Sequence, residues 1–200
     1  VMALNFPDAL SNLLWTNTGP LPTFEAVTAL WVMKRSDVYG AMFDFAKTTN
    51  GWEPAANIGL NGSGNVCVTK HSGTAIITGP STTAGEYYGV AFVSDGGGNT
   101  ANGVRLYVRR LFNGSATSLS QTNWASTSYV GAAVRMYIGA DIDTGGNTYG
   151  TFPGTLENFQ IFDKVLTQEQ IEASWYRRLP MFGPVRWLPM VGDTVADNAM

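Results

Sequence analysis

The sequence predicts an all-β fold, a two-sheet antiparallel sandwich with one short C-terminal helix. Three observations support this class. Short stretches of alternating apolar and polar residues are separated by turn sequences such as N-G-S-G at 61–64, a spacing typical of antiparallel meanders. Glycine accounts for 23 of 200 residues, which suits a chain with many turns. The segment 152–175 reads as a strand of period two followed by a capped helical turn.

The strand in this closing segment is predicted from its apolar positions. They are Leu156, Phe159, Ile161 and Phe162. Glu157 and Gln160 supply polar positions among them. One face of the strand is therefore expected to point into a core.

The helix that follows is predicted from its first turn. Thr167 is followed three residues later by Gln170, which is a capping-box arrangement. Ile171 and Trp175 lie one turn apart, so their side chains are neighbours on the helix surface. We expect a short helix that starts after Thr167.

Further strands are predicted along the chain before this segment. They are 24–34, 39–45, 57–60, 65–69, 74–78, 86–94, 103–112 and 134–139. Within 103–112, Val104, Leu106 and Val108 alternate with Arg105, Tyr107 and Arg109. This alternation predicts one buried side and one solvated side.

Several of these segments resemble the laminin-G-like, concanavalin-A-like jelly rolls of the lectin/glucanase superfamily. The resemblance is carried by the closing segment 152–175, by L-Y-V-R-R-L-F-N-G at 106–114 and by V-R-M-Y-I-G at 134–139. It covers about 24–175 and implies a jelly-roll sandwich. The family's tight Asn-Gly turn is replaced here by Arg109-Arg110, and Asn113-Gly114 comes later, so we expect a longer hairpin.

The chain is predicted to form one jelly-roll domain with two flanking arms. Residues 24–176 form the domain, and regular structure is expected to begin near its start. Residues 1–23 and 177–200 each carry three prolines, which oppose long regular elements and predict an irregular N-terminal arm and an extended C-terminal arm. The C-terminal arm is too apolar for a free tail. Its candidate partner-anchoring residues are Phe182, Trp187 and Met190.

Composition and charge exclude several functional classes. The net charge of −3 comes from 12 basic and 15 acidic residues. Neither sign of charge forms a long run, so no nucleic-acid-binding surface is expected. No apolar run is long enough to span a bilayer, and the start shows no secretory signal pattern. The single cysteine, Cys67, is expected to be an ordinary strand residue.

One loop carries the residues that most resemble a metal-binding site. Asp141 and Asp143 precede Gly145, Gly146 and Asn147, and carboxylates with loop carbonyls suit Ca²⁺. The loop is not an EF-hand, because its twelfth position is Phe152 rather than Glu. An ordinary polar turn is the alternative. We therefore expect no required cofactor, with Ca²⁺ as the one candidate.

Catalytic patterns are missing from the sequence. Glycoside cleavage needs two placed carboxyls, and the E-x-D-x-E pattern of the superfamily's hydrolases does not occur. His71 is the single histidine, and no G-x-S-x-G elbow is present. The protein is therefore expected not to be an enzyme.

Carbohydrate binding would use an exposed aromatic ring as a stacking surface, surrounded by polar residues. The candidates are Trp52, Trp124 and Tyr149, with Asn147 beside the last. Each lies in polar, loop-like sequence. The alternative is that these rings fold back onto the sandwich.

Two functional hypotheses follow from the sequence. The first is a non-enzymatic structural and adhesion module, a phage virion surface component such as a capsid decoration, cement or fibre protein. It would be homo-oligomeric, anchored by its arms to other subunits, and located on a virion or extracellular surface after synthesis without a signal peptide. The second is a soluble lectin-like module that binds carbohydrate, with or without Ca²⁺. Neither hypothesis involves nucleic acid or a membrane span.

Overall fold

The structure, a computed structural model, is a two-sheet antiparallel sandwich with one short helix, which confirms the predicted fold class. It describes residues 4–6, 15–16, 26–46, 54–69, 75–95, 103–122, 135–142, 148–176, 183 and 186–188. Side chains are described within 26–44, 56–69, 75–95, 103–122, 137–140, 150–176 and at 183.

Fifteen strands and one helix make up the described part of the chain. In chain order they are β1 (Leu4–Phe6), β2 (Trp15–Thr16), β3 (Val27–Arg35), β4 (Gly40–Ala46), β5 (Pro54–Leu60), β6 (Asn65–Thr69), β7 (Ala75–Ser81), β8 (Tyr87–Ser94), β9 (Val104–Arg110), β10 (Ser118–Thr122), β11 (Arg135–Ile138), β12 (Asp141–Ile142), β13 (Thr148–Tyr149), β14 (Gly154–Phe162), α1 (Gln168–Trp175) and β15 (Arg186–Leu188).

The strands form two large sheets and one hairpin. The larger sheet has seven strands in the order β1-β14-β3-β8-β9-β10, with β15 also paired to β14. The smaller sheet has six strands in the order β2-β11-β4-β5-β6-β7, and β12 pairs with β13. The run β4 to β7 is the meander that the turn spacing predicted.

The core between the sheets is built around three aromatic rings. Trp31 of β3 and Phe159 of β14 are stacked, with ring centroids 5.3 Å apart. Phe43 of β4 packs against Phe159 at 4.8 Å. All three side chains are buried. Aromatic contacts of this kind add to the hydrophobic stabilisation of burial, so these rings tie the two sheets together.

The helix α1 begins as the sequence predicted. The Oγ1 of Thr167 accepts a hydrogen bond from the backbone N–H of Gln170, and the side chain of Gln170 accepts one from the backbone N–H of Thr167. The capping box is therefore confirmed. Ile171 and Trp175 are both buried against the outer face of the larger sheet.

The helix covers part of that outer face, and this changes two sequence predictions. Tyr107 was expected on a solvated side, but it is buried in the cluster under α1. Strand β14 does not keep a simple period of two, because its register with β3 shifts between Glu157 and Gln160 and Asn158 has a φ of +52°. Gln160 lies opposite Leu30, which belongs to the cluster under α1, and is therefore buried on that outer face. A bulge changes the face to which the following side chains point.

Two other local predictions concern the β9–β10 hairpin and the arms. The hairpin turn occupies 111–117, which confirms a longer connection than a tight Asn-Gly turn. Short strands lie within both predicted arms, since β1 and β15 pair with β14 and β2 pairs with β11. Regular structure therefore begins earlier than near residue 24. The boundaries of the domain stay a prediction.

Candidate functional site

Most of the side chains that the sequence singled out lie outside the described residues. Neither backbone nor side chain is described for Trp52, Trp124, Asn147, Asp143, Phe182, Met190 and His71. Only the backbone is described for Asp141 in β12, Tyr149 in β13 and Trp187 in β15. Their proposed roles in glycan binding, metal binding and anchoring stay predictions.

The backbone nevertheless places two of these candidates side by side. Asp141 and Tyr149 are directly opposite each other in the β12–β13 hairpin. The amide of Ala41 donates to the carbonyl of Gly150, so the hairpin lies beside the start of β4. Within the side chains that are described, no group of three His, Cys, Asp or Glu residues could hold a metal ion.

The outer face of the smaller sheet carries a row of polar side chains. Phe43 and Ile58 point into the core, so the next residues along their strands, Asp44 and Asn57, point to the opposite face. Asp44 lies opposite both Asn57 and Tyr137. All three side chains of this row are buried, so the row does not offer an open binding surface.

An exposed aromatic group lies instead on the helix side of the larger sheet. It consists of Tyr87, Phe112 and Tyr176, which we call the aromatic platform. The ring of Phe112 stands edge-to-face against Tyr87 at 6.2 Å and against Tyr176 at 5.8 Å. Phe112 is 76% exposed and Tyr176 48%. These three residues come from β8, the β9–β10 turn and the end of α1.

Cationic side chains lie over both tyrosines of the platform. The guanidinium of Arg109 is 5.9 Å from the ring centroid of Tyr176, and the ammonium of Lys34 is 5.1 Å from that of Tyr87. A cation over an aromatic face is attracted by the ring's negative quadrupole. Both cations therefore restrict the orientation of the rings.

A hydrogen-bonded carboxylate borders the platform. Glu172 of α1 accepts from Arg109 Nη1 at 2.6 Å, and its other oxygen accepts from the hydroxyl of Thr117 and from Gln168. The hydroxyl of Thr117 lowers the pKa of Glu172, with Gln168 and Arg109 contributing in the same direction. The carboxylate therefore stays ionised and fixed in place beside the rings.

A second ion pair and a buried carboxyl lie elsewhere on the larger sheet. Arg110 Nη2 lies 2.7 Å from Glu86 Oε1. Burial raises the pKa of Glu157, against the lowering effect of nearby charges that include Lys34. Arg110 lies opposite Tyr88, which belongs to the core between the sheets, so this ion pair is on the face opposite the platform. Arg109 and Glu172 are therefore the charged groups of both signs beside the platform.

The backbone at Phe112 is strained. Its φ is +64°, a left-handed conformation that costs non-glycine residues roughly 1–2 kcal/mol. Tyr39 shares this property, with a φ of +83° and 55% exposure, but its ring lies near Gly150, beside the β12–β13 hairpin. Strained exposed aromatics are uncommon and are found at functional sites more often than elsewhere.

Sequence reasoning missed the platform. Tyr87 and Phe112 fall within the predicted strands 86–94 and 103–112, and Tyr176 is not among the predicted site residues. The one available signal was Phe112 immediately before Asn113-Gly114, a large apolar side chain in a turn sequence. The assembly of the three rings depends on contacts between distant segments.

Comparison with known families agrees with this architecture. A laminin G model described as the concanavalin A-like lectin/glucanases superfamily matches residues 11–172. The chain belongs to this superfamily, and the predicted resemblance is confirmed. No curated protein matches the chain. The described residues contain no helix that is long and apolar enough to cross a membrane.

Several solved structures share the fold. A native heptameric SAP-like pentraxin from Limulus polyphemus has a TM-score of 0.63 at 18% identity, over 98% of this chain and 91% of the pentraxin chain. The Ruminococcus gnavus IT-sialidase CBM40 bound to alpha2,6 sialyllactose has a TM-score of 0.56 at 13% identity, over 82% of this chain and 99% of the CBM40 chain. Tailspike protein 2 of Escherichia coli O157:H7 bacteriophage CAB120 has a TM-score of 0.56 at 14% identity, over 88% of this chain and 25% of the tailspike chain. At these identities the similarity shows the fold alone.

Proposed function

We propose that the protein is a non-enzymatic, carbohydrate-binding adhesion module whose ligand stacks on the aromatic platform. The observation that carries this proposal is the exposure of Phe112 and Tyr176, at 76% and 48%, in rings whose geometry is fixed by their neighbours. Exposed rings held in one orientation bind at a lower entropic cost than mobile ones.

The chemistry of the platform fits a saccharide. The apolar C–H face of a sugar ring packs on an aromatic ring, while its hydroxyls require donors and acceptors nearby. Arg109 and Glu172 supply donors and acceptors beside Tyr176. Binding sites commonly combine aromatic surface with a few placed polar groups of this kind.

The size of the platform also fits a small ligand. An aromatic side chain buries about 150–250 Å², so two partly exposed rings offer well under the roughly 800 Å² per partner of a standard protein interface. One or two sugar rings would cover Phe112 and Tyr176. A non-enzymatic role agrees with the missing E-x-D-x-E pattern, and the CBM40 structure, bound to sialyllactose, provides a precedent for a binding module with this fold.

A broad glycan array, probed with the purified chain, tests the proposal. We expect a defined set of bound glycans, with signals that survive EDTA, because the described platform uses aromatic rings and fixed ion pairs. The absence of binding to any glycan would contradict the proposal.

The second candidate is a Ca²⁺-dependent carbohydrate site at the rim of the sandwich. Its supporting observation is the pairing of Asp141 with Tyr149, which brings a candidate metal ligand next to a candidate stacking residue. The exposed Tyr39 lies near Gly150, beside the same hairpin. Complete loss of glycan binding on EDTA treatment, with restoration by Ca²⁺, would favour this rim over the platform.

A more specific role as a phage virion surface component, a decoration, cement or fibre protein, extends the proposal. Its support is the shared fold with one quarter of a phage tailspike and the apolar C-terminal arm, whose predicted anchoring residues are Phe182, Trp187 and, in the segment after β15, Met190. The location would be a virion or extracellular surface. A truncation after residue 188 keeps β15, so its melting temperature should stay unchanged while large assemblies disappear in sedimentation. Assemblies unaffected by the truncation would contradict anchoring by this segment.

A further inference from the structure

The turn between β9 and β10 contains an asparagine that is followed directly by glycine. Such Asn-Gly pairs occur in the sequence at Asn50, Asn61, Asn102 and Asn113. The pairs that begin at Asn61 and Asn113 lie within the described residues, whereas Asn50 and Asn102 do not. Glycine has no Cβ to hinder a close approach of its backbone, so its amide nitrogen can reach the side chain of the residue before it. The two described pairs can be compared in the folded protein.

The first pair, Asn61-Gly62, is fixed by hydrogen bonds of its backbone and its side chain. The N–H of Asn61 donates to the carbonyl of Asn65 at 3.0 Å, and the carbonyl of Asn61 accepts from Gly64 at 2.8 Å. The Oδ1 of Asn61 accepts from the N–H groups of Ser63 and Asn65, each at 3.0 Å. The peptide groups around this asparagine are therefore held by the turn between β5 and β6.

The second pair, Asn113-Gly114, is much less restrained. Asn113 is exposed, and its Oδ1 accepts a hydrogen bond from the N–H of Ser115 at 3.0 Å. Within the described residues, no backbone group of Asn113 or Gly114 takes part in a hydrogen bond. Space around the glycines does not separate the two pairs, because a Cβ on Gly62 or Gly114 would meet nothing within 4 Å. The difference lies in the freedom of the peptide between asparagine and glycine.

We propose that Asn113 is a modification site, at which the side chain is deamidated spontaneously through a cyclic imide. The amide nitrogen of Gly114 loses its proton to a base in the solvent and attacks Cγ of Asn113. The bond from Cγ to the carboxamide nitrogen breaks, and that nitrogen leaves as ammonia. Water then opens the imide at either carbonyl and gives aspartate or isoaspartate. The overall reaction consumes water, converts the carboxamide to a carboxylate and releases ammonium, and it needs no enzyme or oxidant.

The modification changes the turn that carries the most exposed ring of the aromatic platform. Asn113 directly follows Phe112, whose φ is +64°. The new carboxylate adds a negative charge to a chain with a net charge of −3, and isoaspartate inserts a methylene group into the main chain. The reaction does not depend on carbohydrate binding, so its test is independent of any ligand of the platform.

Peptide mapping by mass spectrometry, on the folded full-length chain incubated at mildly alkaline pH, tests the proposal. Asn61 must break two backbone hydrogen bonds before it can cyclise, which should make it roughly tenfold or more slower than Asn113. An isoaspartate-specific methyltransferase should label residue 113, because direct hydrolysis without the imide gives aspartate alone. In urea, where neither turn is folded, Asn61 and Asn113 should react at comparable rates.

Two matched substitutions locate the reaction. The tryptic peptide 111–135 also contains Asn123, and Asn113→Gln should remove deamidation from this peptide, because glutamine forms a cyclic imide far more slowly. Asn61→Gln, the same change in the other turn, should leave the deamidation of this peptide unchanged. The proposal is overturned if Asn61 reacts as fast as Asn113 in the folded protein, or if the peptide of the Asn113→Gln variant is deamidated at the wild-type rate. It is also overturned if residue 113 stays unmodified in the folded chain while the urea-unfolded chain reacts.

Discussion

The indole ring of Trp175 lies directly on the backbone of Gly89. A Cβ at Gly89 would come within 2.3 Å of the ring, and the indole Nε1 donates to the carbonyl of Val90 at 3.2 Å. This contact fixes the end of α1 on the larger sheet. Because Tyr176 is the next residue, the same contact sets the position of one ring of the aromatic platform.

Replacing Gly89 with alanine should therefore displace the helix. Inserting a methyl group into a packed contact typically costs about 1–3 kcal/mol, and we expect the free energy of unfolding of Gly89→Ala to fall by that amount in urea denaturation. Gly62→Ala is the control, because a Cβ there meets nothing within 4 Å. Equal stability of the two variants would contradict the packing described for Trp175.

The capping box should contribute measurably to stability. Thr167→Ala removes the hydroxyl that accepts from Gln170, and the loss of such a cap costs about 1 kcal/mol. Thr167→Ser keeps an acceptor and should lose much less. Thermal unfolding of the three proteins measures the effect, and an alanine variant as stable as the wild type would show that the cap is not needed.

The strained turn at Phe112 predicts opposite effects on stability and binding. Glycine adopts a φ of +64° without the Cβ penalty, so Phe112→Gly should stabilise the fold by roughly 1 kcal/mol. The same change removes the most exposed ring of the platform and should weaken glycan binding. Tyr39→Gly relieves a similar strain at a φ of +83° and should leave binding unchanged. A Phe112→Gly protein that binds normally would exclude a role for this ring.

The buried Glu157 predicts a pH-dependent effect. Burial raises its pKa in the folded protein, so the folded state holds this proton more tightly than the unfolded chain. Stability then falls as the pH rises from the unfolded value, about 4.3, through the folded pKa. Glu157→Gln removes that dependence and should gain stability relative to the wild type across this window, measured by urea unfolding at several pH values.

Glu172 should show the opposite trend and is the matched comparison. Hydrogen bonds, above all from Thr117, lower its pKa in the folded protein. Its stabilising effect is present above the unfolded pKa and is lost as the pH falls through the folded pKa. Glu172→Gln should therefore be less stable than the wild type near neutral pH, with a difference that shrinks in acid. If the stability differences of the two variants followed the same pH trend, the raised pKa of Glu157 and the lowered pKa of Glu172 would both be contradicted.

The sequence predicted the features that depend on neighbouring residues. The capping box at Thr167 and Gln170 and the N-G-S-G turn between β5 and β6 are local, and the structure confirms them. Burial of Tyr107 and Gln160 depends on the packing of α1 and on the bulge at Asn158. Periodicity within a single strand contains no information about these distant contacts.

The candidate site could be predicted even less well for the same reason. Tyr87, Phe112 and Tyr176 are far apart in the chain and meet only because α1 and the β9–β10 turn pack on one face of the sheet. The sequence suggested that exposed aromatics should be sought, but its candidates were chosen from polar loops. Long-range packing decides which rings are exposed together.

Glycan-array binding by single alanine variants tests the central claim most directly. Phe112→Ala and Tyr176→Ala should each weaken binding at least tenfold, equivalent to about 1.4 kcal/mol. Tyr39→Ala removes an aromatic ring that is 55% exposed and lies near Gly150 rather than in the platform, and its binding should match the wild type. If both platform variants bind as the wild type does, or if Tyr39→Ala alone abolishes binding, the aromatic platform is not the carbohydrate site.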